Sequence, residues 1–280
     1  MVSALRTVVG GSARFETACP LSAPIETSIC MAHNFTIAAR LRAMDLAQIP
    51  ARGHHSVLSR AGCLHSTAWL LDEADTAQEP AGSAAAYVDV VSQSIAAELR
   101  HAPEIALDEL ARRATQVDGP AGCQAALALI RREGTRISHL ILGDVAVLVS
   151  QPGGLVSCIQ DMRAGEVAGE HRAAWATAAA CGRDDAGKLQ EKLREEESRW
   201  RNTPGGFWVI EPGRTDVVDH ALIGSTLSIE PVVLATRGAL LNMGADEVYW
   251  QATGPRGSAR GAALAAWQAA GMAGVTVAVF

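Results

Sequence analysis

At 280 residues, 49% hydrophobic and 19% charged, the chain has the composition of a folded globular protein and the length for one large domain or two small ones. Its net charge of -6, with no basic block, excludes nucleic acid as a main partner, because neutralising phosphates takes clustered Lys and Arg. No apolar run approaches the roughly 20 residues that span a bilayer, and the first ten residues lack the apolar core of a secretory signal, so no membrane is expected and a cytoplasmic location is the default.

Residues 1–65 are poorly periodic, with Pro20, Pro24 and Pro50 as punctuation and a helix expected near 36–48. The stretch 66–77 then gives a short apolar strand that runs into Asp72, Glu73 and Asp75. Acids at the end of a buried strand are either a solvated turn or part of a site. Two amphipathic helices follow: 83–101, with Tyr87, Val90, Val91, Ile95 and Leu99 at helical spacing, and 105–117, with Leu107, Leu110 and Ala111.

Strands are expected at 124–132, 137–142, 145–150 and 155–159, separated by Glu133-Gly134-Thr135, Gly143-Asp144 and Gln151-Pro152-Gly153-Gly154. Gly-Asp and Pro-Gly-Gly between β-rich runs are hairpin punctuation, and the four strands read as one antiparallel meander. Helices are expected at 171–180 and 186–200; the charges from Lys188 to Glu197 read as a solvated face. Further strands are expected at 207–211 and 232–236, then a helix at 257–270 and a last strand at 275–280. The order of strand, helices, meander, helices and strands fits an α+β four-layer sandwich, with paired sheets inside and helices outside.

The strand at 232–236 ends in Thr236-Arg237-Gly238, read as a turn. Loops just beyond a strand covered on both faces are where layered folds build sites, so Arg237 either points to water or belongs to one. Six cysteines (Cys19, Cys30, Cys63, Cys123, Cys158, Cys181) show no Cys-x-x-Cys pair and read as reduced thiols. His54, His55, Cys63 and His65 carry side chains that suit zinc or copper, but their spacing does not support a site.

Four segments, AWLLDEADT (68–76), ISHLILGDVAVLV (137–149), RNTPGGFWVIEP with DHAL (201–212 and 219–222), and VVLATRGAL with the closing GVTVAVF, resemble the metal-dependent protein phosphatases of the 2C type, especially compact bacterial members. The resemblance covers residues 66–280, and Asn-Thr-Pro-Gly-Gly-Phe-Trp is its most specific part. It implies a single domain over 1–280 with a PP2C-like four-layer α-β-β-α sandwich of two mainly antiparallel sheets flanked by helices. Residues 1–65 then form a divergent part, a lid or an interface insertion.

In that family two divalent ions activate a water that attacks a phosphoserine or phosphothreonine, and carboxylates at strand ends hold them. Here the resemblance keeps Asp72 but replaces the glycine after it by Glu73. It places Arg237 where the late strand should end in aspartate, Gly274 where an acid should precede the final strand, and Ala74 at the position of a histidine found in some members. Glu16 survives from the early acidic motif. Asp144 falls in the family's Gly-Asp turn, where it reads as structural.

The resemblance therefore implies a PP2C-like protein lacking most metal ligands, a pseudophosphatase with a binding or regulatory role and no cofactor. The alternatives are a metal-independent enzyme using acid/base catalysis on a small molecule, and an active phosphatase holding Mg²⁺ or Mn²⁺ in a rearranged site. Asp72, Glu73 and Arg237 are the candidate catalytic residues, with Arg237 expected to pair with Asp72, Glu73 or Asp75. Glu16, Asp75 and His220 are candidate ligand-binding residues, His220 mainly through packing or hydrogen bonding. The partner is expected to be a protein or a small molecule in the former metal cleft, with a homodimer possible.

Overall fold

In a computed structural model of the chain, the structure describes residues 44–49, 59–74, 83–151, 153–240, 243–255, 257–270 and 275–280. Glu16, His54, His55, Asp75 and Gly274 lie outside these residues. The described elements are β1 (Asp45–Ile49), β2 (Ser59–Leu64), β3 (Thr67–Glu73), α1 (Ser83–His101), α2 (Leu107–Thr115), β4 (Ala125–Glu133), β5 (Arg136–Leu142), β6 (Val145–Ser150), β7 (Val156–Gln160), α3 (Arg163–Val167), α4 (Gly169–Ala180), α5 (Ala186–Trp200), a 3-10 turn (Asp216–His220), β8 (Leu222–Leu227), β9 (Val232–Thr236), α6 (Arg237–Leu240), α7 (Gly244–Thr253), α8 (Ala259–Ala270) and β10 (Val275–Val279).

The strands form two five-stranded sheets, in the orders β1-β10-β9-β6-β7 and β2-β3-β4-β5-β8. Every pairing between strands is antiparallel. Because side chains alternate along a strand, each sheet has two apolar faces to bury. Trp69 and Leu71 of β3, with Leu127 and Leu129 of β4, pack under α1 and α2. Ala68, Leu70, Ala128 and Ile130 face the other sheet and meet Val147, Val149, Val232 and Leu234. Val233, Ala235 and Val277 point outward to α7 and α8. These three cores stack into the expected four-layer sandwich of helices, sheet, sheet and helices. Among the described residues no helix is long and apolar enough to cross a membrane.

Several expectations change in detail. Residues 45–48, read as the end of a helix, lie in β1, whose pairing with β10 at the sheet margin overrides local pattern. β2 likewise pairs with β3, so the described parts of the first 65 residues supply sheet margins. In α1 the buried stripe runs through Tyr87, Val88, Val91, Ile95 and Leu99, and Val90 turns outward. Residues 207–211 form isolated bridges instead of a strand.

The meander is divided. β4 pairs with β5 and β6 with β7, but β5 does not pair with β6; it pairs with β8, while β6 pairs with β9. Gly143-Asp144 therefore carries the chain from one sheet to the other. Gly143 has a φ of +77°, and a Cβ there would lie 2.8 Å from Val209 Cγ1 and 2.9 Å from Ala126 Cβ, so the crossing requires glycine. This crossing puts Asp144 at the end of the space between the sheets.

Candidate functional site

A cavity of about 250 Å³ opens at the end of the sandwich, where β3, β9 and the crossing at Asp144 meet. Alternation along β3 sets its acidic side: Ala68 and Leu70 face the opposite sheet, and Asp72 continues that row past the last apolar pair. Asp72, Glu73, Asp144 and Arg237 all line the cavity, joined by Arg172 and Trp175 from α4, Leu193 and Glu197 from α5, and Arg201 and Phe207 beyond it.

Arg237 opens α6 directly after β9, so the expected turn is the first residue of a short helix. Its Nη1 donates to Asp144 Oδ1 at 2.9 Å. This corrects the expected pairing, since the chain crossing brings Asp144, and not the end of β3, into reach. Gly165 leaves room for the guanidinium: a Cβ there would stand 3.3 Å from both Nη1 and Nη2.

The other Asp144 oxygen, Oδ2, lies 3.5 Å from Arg172 Nη2. The same nitrogen donates to Glu197, whose second oxygen lies 3.9 Å from Arg201 Nη2. The charged face of α5, read as solvated, is thus turned inward at Glu197. Arg172, Glu197 and Arg201 are the site residues that sequence reasoning missed. The available signal was the shared helical face of Leu193 and Glu197, four residues apart, with Leu193 buried.

The Asn-Thr-Pro-Gly-Gly-Phe-Trp segment holds this wall in place. Asn202 takes a φ of +52°; its Oδ1 accepts from Val209 N at 2.8 Å and its Nδ2 donates to Glu211 at 3.0 Å. Phe207 N donates to Trp200 O at 3.1 Å and Asn202 N to Phe207 O at 2.8 Å, closing a loop that brings Phe207 against Arg201. Arg201 Nη1 also donates to Gln124 Oε1 at 3.0 Å.

Burial, then the neighbouring Asp144 and Glu73, push the Asp72 carboxyl up to about 8. Each cause disfavours the charged form. Asp72 is thus a proton-holding group at neutral pH, with a side chain that opens to the cavity.

His220 lies elsewhere. It stacks on Trp208 with ring centroids 3.7 Å apart and lines a shallow hollow with Asp161 and Arg163, away from the residues that line the main cavity. Its backbone carbonyl accepts from Arg163 Nη2 at 2.7 Å. Cys63 packs on the inter-sheet core and His65 sits in the β2–β3 turn with a φ of +54°.

This acidic set does not fit a pair of divalent ions. Mg²⁺ and Mn²⁺ call for several oxygen ligands, whereas both Asp144 oxygens face guanidinium groups and Arg237 occupies the end of β9. Among the described residues, no group of three or more His, Cys, Asp or Glu is placed to hold a metal ion.

Three solved structures share the architecture. The phosphatase MsPP of Mycobacterium smegmatis, solved in complex with cacodylate, aligns over 86% of this chain and 98% of its own, with 14% identity and a TM-score of 0.53. The fold is that of the PPM-type serine/threonine phosphatases. The serine/threonine phosphatase of S. agalactiae aligns over 85% of this chain and 98% of its own at 11% identity and a TM-score of 0.53. The catalytic domain of PstP, solved with two manganese ions, aligns over 85% and 96% at 14% identity and a TM-score of 0.51. No family model matches the sequence, and no curated protein matches it significantly. At these identities the likeness establishes the PPM fold; activity has to be argued from the site.

Proposed function

We propose that this chain is a pseudophosphatase, a PPM-fold protein whose cleft binds a ligand or a protein partner and does not carry out two-metal phosphoester hydrolysis. One observation carries the reading: the Arg237 guanidinium stands at the end of β9, bonded to Asp144. A guanidinium brings to that place a fixed positive charge, in the direction a divalent ion would, without an open coordination position for a nucleophilic water. PstP, which shares the fold, has been solved with two manganese ions.

The test is a calorimetric titration of the chelator-treated protein with Mn²⁺, paired with phosphate release from a phosphoserine peptide. No binding heat at millimolar Mn²⁺ and no hydrolysis is the expected result. Micromolar binding that is abolished by Asp72→Asn, together with Mn²⁺-dependent phosphate release, would establish an active phosphatase with a rearranged site instead.

A second reading, a metal-independent enzyme acting on a small molecule, has its own supporting observation. Asp72, raised to about 8 in a cavity with Trp175 and Phe207, has the tuning of a general acid at neutral pH. Turnover of a small molecule by the metal-free protein, lost in Asp72→Asn, is the result that would favour it.

A further inference from the structure

Five charged residues run through the cavity wall, each paired with the next: Arg237, Asp144, Arg172, Glu197 and Arg201. Three guanidinium groups face two carboxylates, so the row holds one positive charge in excess. Arg172 stands between the two carboxylates, and Arg237 and Arg201 end the row. Arg172 is 7% exposed and serves both of its acidic partners through Nη2, whereas its Nη1 is buried without a hydrogen-bond partner among the described residues. An unsatisfied buried N–H is unfavourable, and arginine cannot relieve it by losing a proton. Nη1 is closed off from water as well, and its residue lines the cavity. Arg237 is more open, with a side chain 29% exposed, and only its Nη1 is engaged by Asp144.

We propose that Arg172 and Arg237 form a metal-independent oxyanion subsite in this cavity, and that the ligand carries a carboxylate or a phosphate monoester. The proposal rests on the reading of the cleft as a binding site. Guanidinium donors suit both head groups because their N–H fork matches paired oxygens. Trp175 and Phe207, on the same cavity lining, supply an apolar wall for the carbon skeleton. The two further acids of the lining, Asp72 and Glu73, set a limit on affinity through repulsion.

The experiment titrates the full, chelator-treated chain with phosphate, O-phosphoserine and acetate at constant ionic strength, followed by tryptophan fluorescence and by melting temperature. Saturable binding of at least one of the three is expected, weakened by about tenfold or more in Arg172→Met, the loss of one charge-assisted bond. Preference for phosphate or phosphoserine identifies a phosphoryl ligand; preference for acetate identifies a carboxylate. Arg237→Gln, at a more exposed position, is the second variant should Arg172→Met fail to melt cooperatively, and it too must weaken binding. The subsite is overturned by an absence of saturation with all three anions, by wild-type affinity in a folded variant, or by binding that appears only with Mn²⁺. Mn²⁺-dependent hydrolysis alone would sink the pseudophosphatase reading and leave metal-free anion binding standing, so the two fail separately.

Discussion

Arg237 and Asp144 are joined twice: side chain to side chain at 2.9 Å, and Arg237 N–H to the Asp144 carbonyl at 3.2 Å. The backbone bond comes from the end of the β6–β9 ladder, so it persists whatever side chain occupies position 237. Arg237→Asp therefore keeps the helix start in place while exchanging a cation for an acid beside Asp72 and Asp144. The variant is expected to give Mn²⁺ binding heat at millimolar concentration, where the parent gives none, read by calorimetry after chelator treatment. Equal affinities in the two proteins would show that Arg237 is not what keeps a cation out.

The Asp72 carboxyl makes a pH dependence of its own. Its folded value, about 8, lies above the ordinary carboxyl range, so between pH 4 and pH 8 the folded state binds more protons than the unfolded state. Stability is then fully present at the acid end and is lost as pH rises toward 8, at a slope of at most about 1.4 kcal/mol per pH unit. Asp72→Asn removes that slope. The variant should melt higher than the parent at pH 8, by more than about 1 kcal/mol in stability, with the gap closing toward pH 5. A gap independent of pH would assign the effect to packing.

His139 acts in the opposite sense. It sits on the inner face of β5 opposite Gly224, 6% exposed, with Nδ1 lacking a partner among the described residues, and burial holds its imidazole below the usual range. The unfolded chain takes up a proton near pH 6.5 that the folded chain resists, so stability is present above that value and falls as the solution is acidified below it. His139→Leu should flatten the acid side of the melting profile and stabilise the protein by about 1 kcal/mol at neutral pH through removal of the unsatisfied nitrogen. The check is a comparison of the two melting profiles from pH 7.5 down to 5, where an unchanged acid slope in the variant would clear His139 of the effect.

Much of this architecture was legible because strong periodicity leaves little choice. α1, β5 and β6 follow directly from their apolar spacing, and the sandwich follows from their order. β1, β2 and β8 were not legible, since strands at or next to a sheet margin carry mixed polar sequence and are fixed by pairing with partners far along the chain. For the site, Asp72 and Arg237 could be placed from strand ends alone. The partnership of Arg237 with Asp144 could not, because Gly143-Asp144 looks like a hairpin and only the pairing of β5 with β8 and of β6 with β9 shows that the chain changes sheets there. Glu197 was hidden for a different reason: in a run of charges on a helix, its place four residues after the apolar Leu193 is the one cue to which charge faces inward.

Asn202 provides a test of how the cavity wall is held. It combines a left-handed backbone, at a φ of +52°, with two side-chain bonds, one from the buried Val209 N–H and one to Glu211. The two contributions are separable. Asn202→Gly keeps the backbone conformation and loses both bonds; Asn202→Ala loses both bonds and adds strain from a Cβ at positive φ. With Val209 N–H left without its acceptor, Asn202→Gly should lose about 2 kcal/mol, and Asn202→Ala about 1 kcal/mol more. Because Phe207 and Arg201 are set by the same loop, both variants should also release Arg201 from Phe207. Urea denaturation gives the stabilities. If Asn202→Ala were the more stable of the two variants, backbone strain would not be part of what asparagine provides there, and the side-chain bonds alone would account for the residue.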